Sequence, residues 1–211
     1  MNQPRPPASG RIFLVIVIAL AAMATGLVVF SALFDRTQEL RAAKPFPEAR
    51  PMPEFELRTA AGEPLTANDL KGRWSLVFFG FTNCPDICPD TLAVLDAVKN
   101  ELETMKAAAQ PQVVFVSVDP GRDDARALGE YVAMFDESFI GATASPEAIG
   151  DFTRQLGVYF NLDEPDPETG FYTVDHSASI YIVDPQGRLY GRFSPPLDRQ
   201  AIAADLFALA R

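Results

Sequence analysis

The chain of 211 residues contains two cysteines and a single histidine. Cys84 and Cys88 stand four residues apart in Cys84-Pro85-Asp86-Ile87-Cys88-Pro89, and His176 comes more than eighty residues later, just ahead of the apolar run Ile180-Tyr181-Ile182-Val183. Two thiolates and an imidazole form a soft donor set that suits Cu(I) and is able to hold Cu(II). A C-x-x-x-C loop is also compatible with a redox pair or a structural disulfide. A lone histidine at a strand start is also compatible with a hydrogen-bonded structural role. Zinc fits less well, because a structural zinc site takes four protein ligands and only three good ones are present. A purely structural bridge is a weak reading, since so short a loop constrains the unfolded chain little.

The residues around the cysteines say how they are positioned. Leu76-Val77-Phe78-Phe79 is uninterruptedly apolar, the pattern of a strand buried on both faces. Gly80 opens a loop, and a helical pattern with Leu92, Leu95, Val98, Leu102 and Met105 on one face continues to about Ala109. Pro89 lacks an N–H and suits the first helical position, which predicts Cys88 at or beside the N-cap with its pKa lowered by the helix dipole.

Farther on, 113–118 reads as a strand ended by Asp119-Pro120-Gly121, with helices over about 123–135 and 146–156 flanking a short strand near 139–142. Residues 161–172 are acidic and proline-bearing and read as an exposed excursion. Asp184-Pro185-Gln186-Gly187 joins strands 178–183 and 189–193 as a hairpin, and 197–209 forms a closing helix. Strands alternating with helices imply an α/β fold, a central mixed sheet flanked by helices in the thioredoxin-type arrangement.

The front of the chain has another character. Residues 12–34 carry no charge over 23 positions, enough for a transmembrane helix. An Ala22-Met23-Ala24 cleavage pattern is present, but the apolar run continues past it, so a retained anchor is expected. Arg5 and Arg11 precede the span while Arg36, Arg41 and Lys44 follow it, so the count of positive charges does not set orientation. A single N-terminal span ahead of a large domain is a common export arrangement. It predicts 1–11 in the cytoplasm, 12–34 in the inner membrane and the rest facing the periplasm. Pro45, Pro47, Pro51 and Pro53 predict an extended stalk over 35–53, leaving 54–211 as the folded domain. After residue 50 the chain carries 12 basic and 25 acidic residues, a balance that excludes binding nucleic acid through its phosphates.

Taken together, Gly80-Phe81-Thr82-Asn83-Cys84-Pro85-Asp86-Ile87-Cys88-Pro89 resembles the signature of the Sco/SenC family of copper-binding assembly proteins. The resemblance continues through Val116-Ser117-Val118-Asp119-Pro120, Arg122-Asp123, Glu130-Tyr131-Val132, Phe135-Asp136 and Phe139-Ile140-Gly141. It ends at Val174-Asp175-His176-Ser177 and Ile180 to Pro185, covering about residues 50–210. It implies copper bound by Cys84, Cys88 and His176, with Asp119 an acidic residue near the site. It also implies a metallochaperone role toward the binuclear copper site of cytochrome c oxidase. The implied partners are the copper-receiving subunit, other copper chaperones and a thioredoxin-like reductant. Where the family often has Thr-Pro after Arg-Asp, this chain has Asp124-Ala125, which leaves the start of the second helix open.

Asp86, Asp90 and Asp175 add negative charge near the proposed ligands, and Asp175 is a candidate hydrogen-bond partner for the imidazole. An enzyme reading stands beside the copper reading, namely a thiol–disulfide oxidoreductase using Cys84 and Cys88. Oxidoreductases of this fold use C-x-x-C and a cis proline facing the cysteines. Here the spacing is one residue longer, and no proline occurs between Pro167 and Pro185.

Overall fold

The structure is a computed structural model that describes residues 8–33 and 40–210, with side chains described at 12–26 and 40–210. The chain divides into two compact units, Met1–Glu39 and Leu40–Arg211. In the first, Ala8–Leu33 forms a helix, α1. Among the described residues no helix is long and apolar enough to cross a membrane. The described side chains of α1 stop at residue 26, short of the about 20 apolar residues a span needs. The rest of the expected span, to residue 34, lies outside the described side chains, as do the expected cytoplasmic segment 1–11 and the first residues of the stalk, 35–39. The structure therefore does not show the expected anchor.

The second unit begins with three strands, β1 (Lys44–Pro51), β2 (Glu56–Thr59) and β3 (Pro64–Thr66). The central strand β4 (Ser75–Gly80) leads to α2 (Ile87–Thr104), then β5 (Gln112–Ser117), α3 (Ala125–Ala133), β6 (Ile140–Thr143) and α4 (Pro146–Leu156). A small ribbon of β7 (Phe160–Leu162) and β8 (Val174–His176) follows, and β9 (Ile180–Val183), β10 (Arg188–Phe193) and α5 (Arg199–Leu209) close the chain. Eight strands form one sheet in the order β1-β10-β9-β4-β5-β6-β2-β3, while β7 and β8 pair in a separate sheet. β4, β5 and β6 run parallel, and β9 joins β4 antiparallel. The expected central mixed sheet flanked by helices is present.

The apolar run of β4 is explained by its two covered faces. Successive side chains of a strand point to opposite sides. Leu76 and Phe78 pack on one side with Leu92, Leu95, Val98 and Leu102 of α2, Leu128 and Val132 of α3, and Ile202 and Leu206 of α5. Val77 and Phe79 pack on the other with Ile149, Phe152 and Leu156 of α4. α2 ends at Thr104, earlier than the expected Ala109, because the chain turns at Met105 and Lys106 takes a positive φ of 55°. The Asp124-Ala125 departure starts α3 cleanly, since the Asp124 carboxylate accepts the Ala127 N–H at 2.8 Å.

The expected stalk needs a larger correction. From Lys44 it is a strand of the domain, paired antiparallel with β10 at Lys44↔Arg192 and Pro51↔Arg188, with a register shift between Pro45 and Arg50. Proline is tolerated there because an edge strand needs hydrogen bonds on one side only. Gly191 also clears space, since a Cβ at that position would lie 2.6 Å from the Lys44 carbonyl oxygen. Just before β1, the buried Asp205 carboxylate of α5 accepts the N–H groups of Arg41, Ala42 and Ala43 at 2.8–3.0 Å. The described domain therefore begins at residue 40 rather than 54.

Candidate metal centre

β4 delivers the chain to Gly80, and the Phe81 carbonyl accepts the Cys84 N–H at 3.3 Å to tighten the loop. α2 starts at Ile87, so Cys88 occupies the second helical position and Pro89 the third, deeper in the helix than the spacing predicts. Pro89 is tolerated because the first four N–H groups of a helix have no partner within the helix. The N-cap residue, Asp86, makes no side-chain cap. The Cys84 sulfur takes that place, accepting the Cys88 N–H at 3.4 Å.

This geometry overturns the expected acidity of Cys88. The Cys84 thiol falls from 9.0 to about 5, chiefly through the hydrogen bond from the Cys88 side chain, helped by the Cys88 N–H and against some burial. Cys88 moves the other way. The sulfur–sulfur contact with Cys84 and its own burial push its pKa up, and it has no exposed surface. Cys84 is therefore the thiolate, and Cys88 is the thiol that steadies it. The helix terminus acts on the sulfur that caps its free N–H groups rather than on the one within its first turn.

Gly80 is required by this packing. A Cβ there would sit 2.5 Å from Cys88 Sγ and 2.8 Å from the Phe115 ring. The third group arrives on β8, where His176 pairs with Phe160 of β7. Its Nδ1 donates to the Ser177 carbonyl at 3.2 Å, which leaves Nε2 free, 3.3 Å from Cys88 Sγ. Phe78 and Phe81 present their rings edge-on to the imidazole, each at 5.9 Å between centroids.

The ligand atoms of Cys84, Cys88 and His176 all lie within 4.8 Å of one another, and no other such group of three forms among the described residues. Two sulfurs and a nitrogen at that separation can converge on one soft metal ion, and the two sulfurs alone can exchange with a disulfide. Asp86, Asp90 and Asp175 are all exposed and none joins the cluster. The imidazole partner is the Ser177 carbonyl, not Asp175.

Sequence reasoning singles out Asp119 but misses the residues around it. Asp119 is fully buried; its carboxylate pairs with Arg122 and accepts the Tyr172 hydroxyl at 2.7 Å. Asp123, also fully buried, accepts the Thr82 N–H at 2.9 Å and the Ser117 hydroxyl at 2.6 Å. The Asp-Pro-Gly-Arg-Asp run is visible as a motif, but nothing local shows that its side chains reach residues 82 and 172.

A sequence model of the SCO1/SenC family matches residues 44–211. The chain is 40% identical over 161 residues to the mitochondrial SCO2 homolog of Mus musculus, covering 75% of this chain and 61% of that protein. It is 35% identical over 184 residues to a putative copper-binding protein of Stutzerimonas stutzeri, covering 86% of each. The chain thus spans about three fifths of the length of the mouse and human relatives, 61% and 58%. Copper-bound Arabidopsis thaliana ScoI superposes with a TM-score of 0.69 at 33% identity, covering 74% of this chain and 95% of that one. Copper-bound yeast Sco1 gives 0.70 at 30% identity, covering 75% and 87%. On the family match over most of its length and on these likenesses, the chain belongs to the SCO1/SenC family.

Proposed function

We propose that this protein is a membrane-anchored copper metallochaperone that serves the binuclear copper site of cytochrome c oxidase. One copper ion is held by Cys84 Sγ, Cys88 Sγ and His176 Nε2. The observation that carries this reading is the convergence of the three ligand atoms within 4.8 Å. Their softness selects copper over harder ions, and three protein ligands fall short of a structural zinc site. The copper-bound relatives support the choice of metal, and family membership supports the oxidase as recipient. The anchor rests on the 23 uncharged residues of 12–34, and the periplasmic placement on the order of span and domain.

The site is open on one side. Cys84 and His176 line a groove of about 540 Å³ with Phe81, Ile87 and Phe171, whereas Cys88 is buried behind them. An acceptor thiolate therefore reaches the metal from the side of Cys84 and His176, and Cys88 is the last ligand to let go. Titrating the reduced full chain should give one tightly bound copper with a sulfur-to-copper charge-transfer band in the Cu(II) form. His176→Ala should lose tight binding. Full occupancy with an unchanged spectrum in that variant would remove His176 from the ligand set.

A second reading is favoured by the acidity of Cys84. A half-exposed thiolate beside a protonated thiol is suited to reducing a disulfide. Cys84 attacks one sulfur and the other leaves as a thiolate. Cys88 then gives up its proton and attacks Cys84, releasing the second thiolate and leaving the Cys84–Cys88 disulfide. This path needs no imidazole ligand. Cells carrying only His176→Ala should lose oxidase activity as fully as cells carrying Cys84→Ser if copper transfer is the task. Normal activity at low copper in the first and not the second would assign the protein as a thiol reductant.

A further inference from the structure

The ribbon that carries His176 is not part of the eight-stranded sheet. Its strands are closed at one end by Ser177 N–H to the Tyr159 carbonyl and toward the other by Asp163 N–H to the Thr173 carbonyl, each at 3.0 Å. Those bonds hold the ribbon to itself. They do not place His176 against the cysteines.

The loop after β5 reaches the ribbon from outside. Arg122 Nη1 donates to the Tyr172 carbonyl at 2.9 Å, and its guanidinium lies 3.6 Å from the centre of the Tyr172 ring. Asp119 pairs with Arg122 through one carboxylate oxygen and accepts the Tyr172 hydroxyl through the other, so three side chains close a ring. The guanidinium also lies 5.6 Å from the Phe81 ring, which packs edge-on to the imidazole. One residue along, Asp123 holds Thr82 at the start of the cysteine loop. Neighbouring residues of one loop thus contact both halves of the site.

We propose that Arg122, held by Asp119, is a positioning residue that clamps the ribbon at Tyr172 and so sets His176 Nε2 against the two sulfurs. It acts through His176 and does not touch the metal. The inference rests on the reading of His176 as a ligand. Tyr172 is four residues from His176, two of them within β8 before the histidine. Freedom gained at Tyr172 passes along that short strand to the imidazole. Lysine cannot replace the clamp, because it lacks the planar fork that donates to Asp119 and the Tyr172 carbonyl while stacking on the ring.

Two measurements on the reduced full chain test it. In the first, copper affinity is read for Arg122→Ala with His176 intact and again with His176→Ala. Arg122→Ala should weaken binding by about 10- to 100-fold in the first background, as loss of a supporting partner does, and by nothing further in the second. Equal losses in both backgrounds, or none in the first, would overturn the proposal. The second uses the metal-free chain, so it reads the clamp even if His176 proves not to be a ligand. Amide exchange at Asp163 and Ser177 should quicken in Arg122→Ala and in Tyr172→Phe, while Val118, bonded to the Gly80 carbonyl at 2.9 Å, keeps its protection. Unchanged exchange in the ribbon, or equal quickening at Val118, would overturn it. Equal copper affinity of the parent chain and His176→Ala, both with Arg122 intact, would instead remove His176 from the ligand set, whatever the exchange result.

Discussion

Cys88 sits on a helix packed against the central strand, with no exposed surface, whereas His176 ends a two-stranded ribbon that forms a sheet of its own. Around the cysteines, Phe78, Phe115, Leu92 and Leu95 are all fully buried, each contributing about 1.5–3 kcal/mol through burial. In and beside the ribbon, Val174 is buried while Tyr159, Leu162 and Phe171 are 66%, 40% and 60% exposed. The ribbon gains little from apolar burial and depends on side-chain contacts at Tyr172 and His176. Regions of that kind open locally at lower free energy than a core strand. Of the three proposed ligands, Cys88 is thus a fixture of the core and Cys84 stands half-buried beside it, while His176 is attached to an element with little apolar burial of its own. Under the proposed copper-carrier reading, that difference would serve release of the cargo.

The largest effect expected from breaking it is at the cysteines. Cys84→Ser and Cys88→Ser each remove a proposed sulfur ligand, and copper affinity should fall beyond the about 100-fold that loss of a supporting partner causes. Direct copper titration checks this. A loss no greater than that of Arg122→Ala would mean that the cysteine half is not the dominant one.

A pair of glycine substitutions sharpens the contrast at intermediate size. Gly80→Ala drives a methyl group into Cys88 Sγ and Phe115. It should cost about 1–3 kcal/mol of stability by overpacking, together with copper affinity. Gly170, at the ribbon tip with φ +71°, has open space where a Cβ would project and offers no clash. Gly170→Ala should cost about 1–2 kcal/mol locally through backbone strain alone and leave copper binding unchanged. Denaturant midpoints and copper titrations read both. Similar copper losses in the two variants would erase the distinction between core and ribbon.

The last effect is set by pH. Because the pKa of Cys84 is lowered on folding from 9.0 to about 5, its ionisation favours the folded state. That contribution is complete above about pH 9 and is lost as pH falls toward 5. The reduced, metal-free chain should therefore lose stability on acidification by more than Cys84→Ser does. Alkylation of Cys84 should follow an apparent pKa near 5 while Cys88 stays unreactive. Equal pH profiles in the two chains, or alkylation of Cys88 first, would reverse the assignment of thiolate and thiol.

Much of the fold is legible in the sequence because its signals are local. An unbroken apolar run such as Leu76 to Phe79 has few solutions other than a strand covered on both faces, and the α4 boundaries follow from Ser145 capping and Pro146. β1 escapes such a reading because four closely spaced prolines argue against a strand in general. Only its edge position, beside a glycine of β10, makes one possible.

For the site, residue types and order are sufficient to name Cys84, Cys88 and His176 and to point to the family. Donor softness is a property of each side chain by itself. Which sulfur carries the charge is not decided there, because acidity depends on burial and on where N–H and S–H groups point. Cys84 and Cys88 differ in those respects only after α2 has formed. The meeting of His176 with a cysteine 88 residues away, and the grip of one loop on both Thr82 and Tyr172, likewise exist only once strands distant in the chain lie side by side.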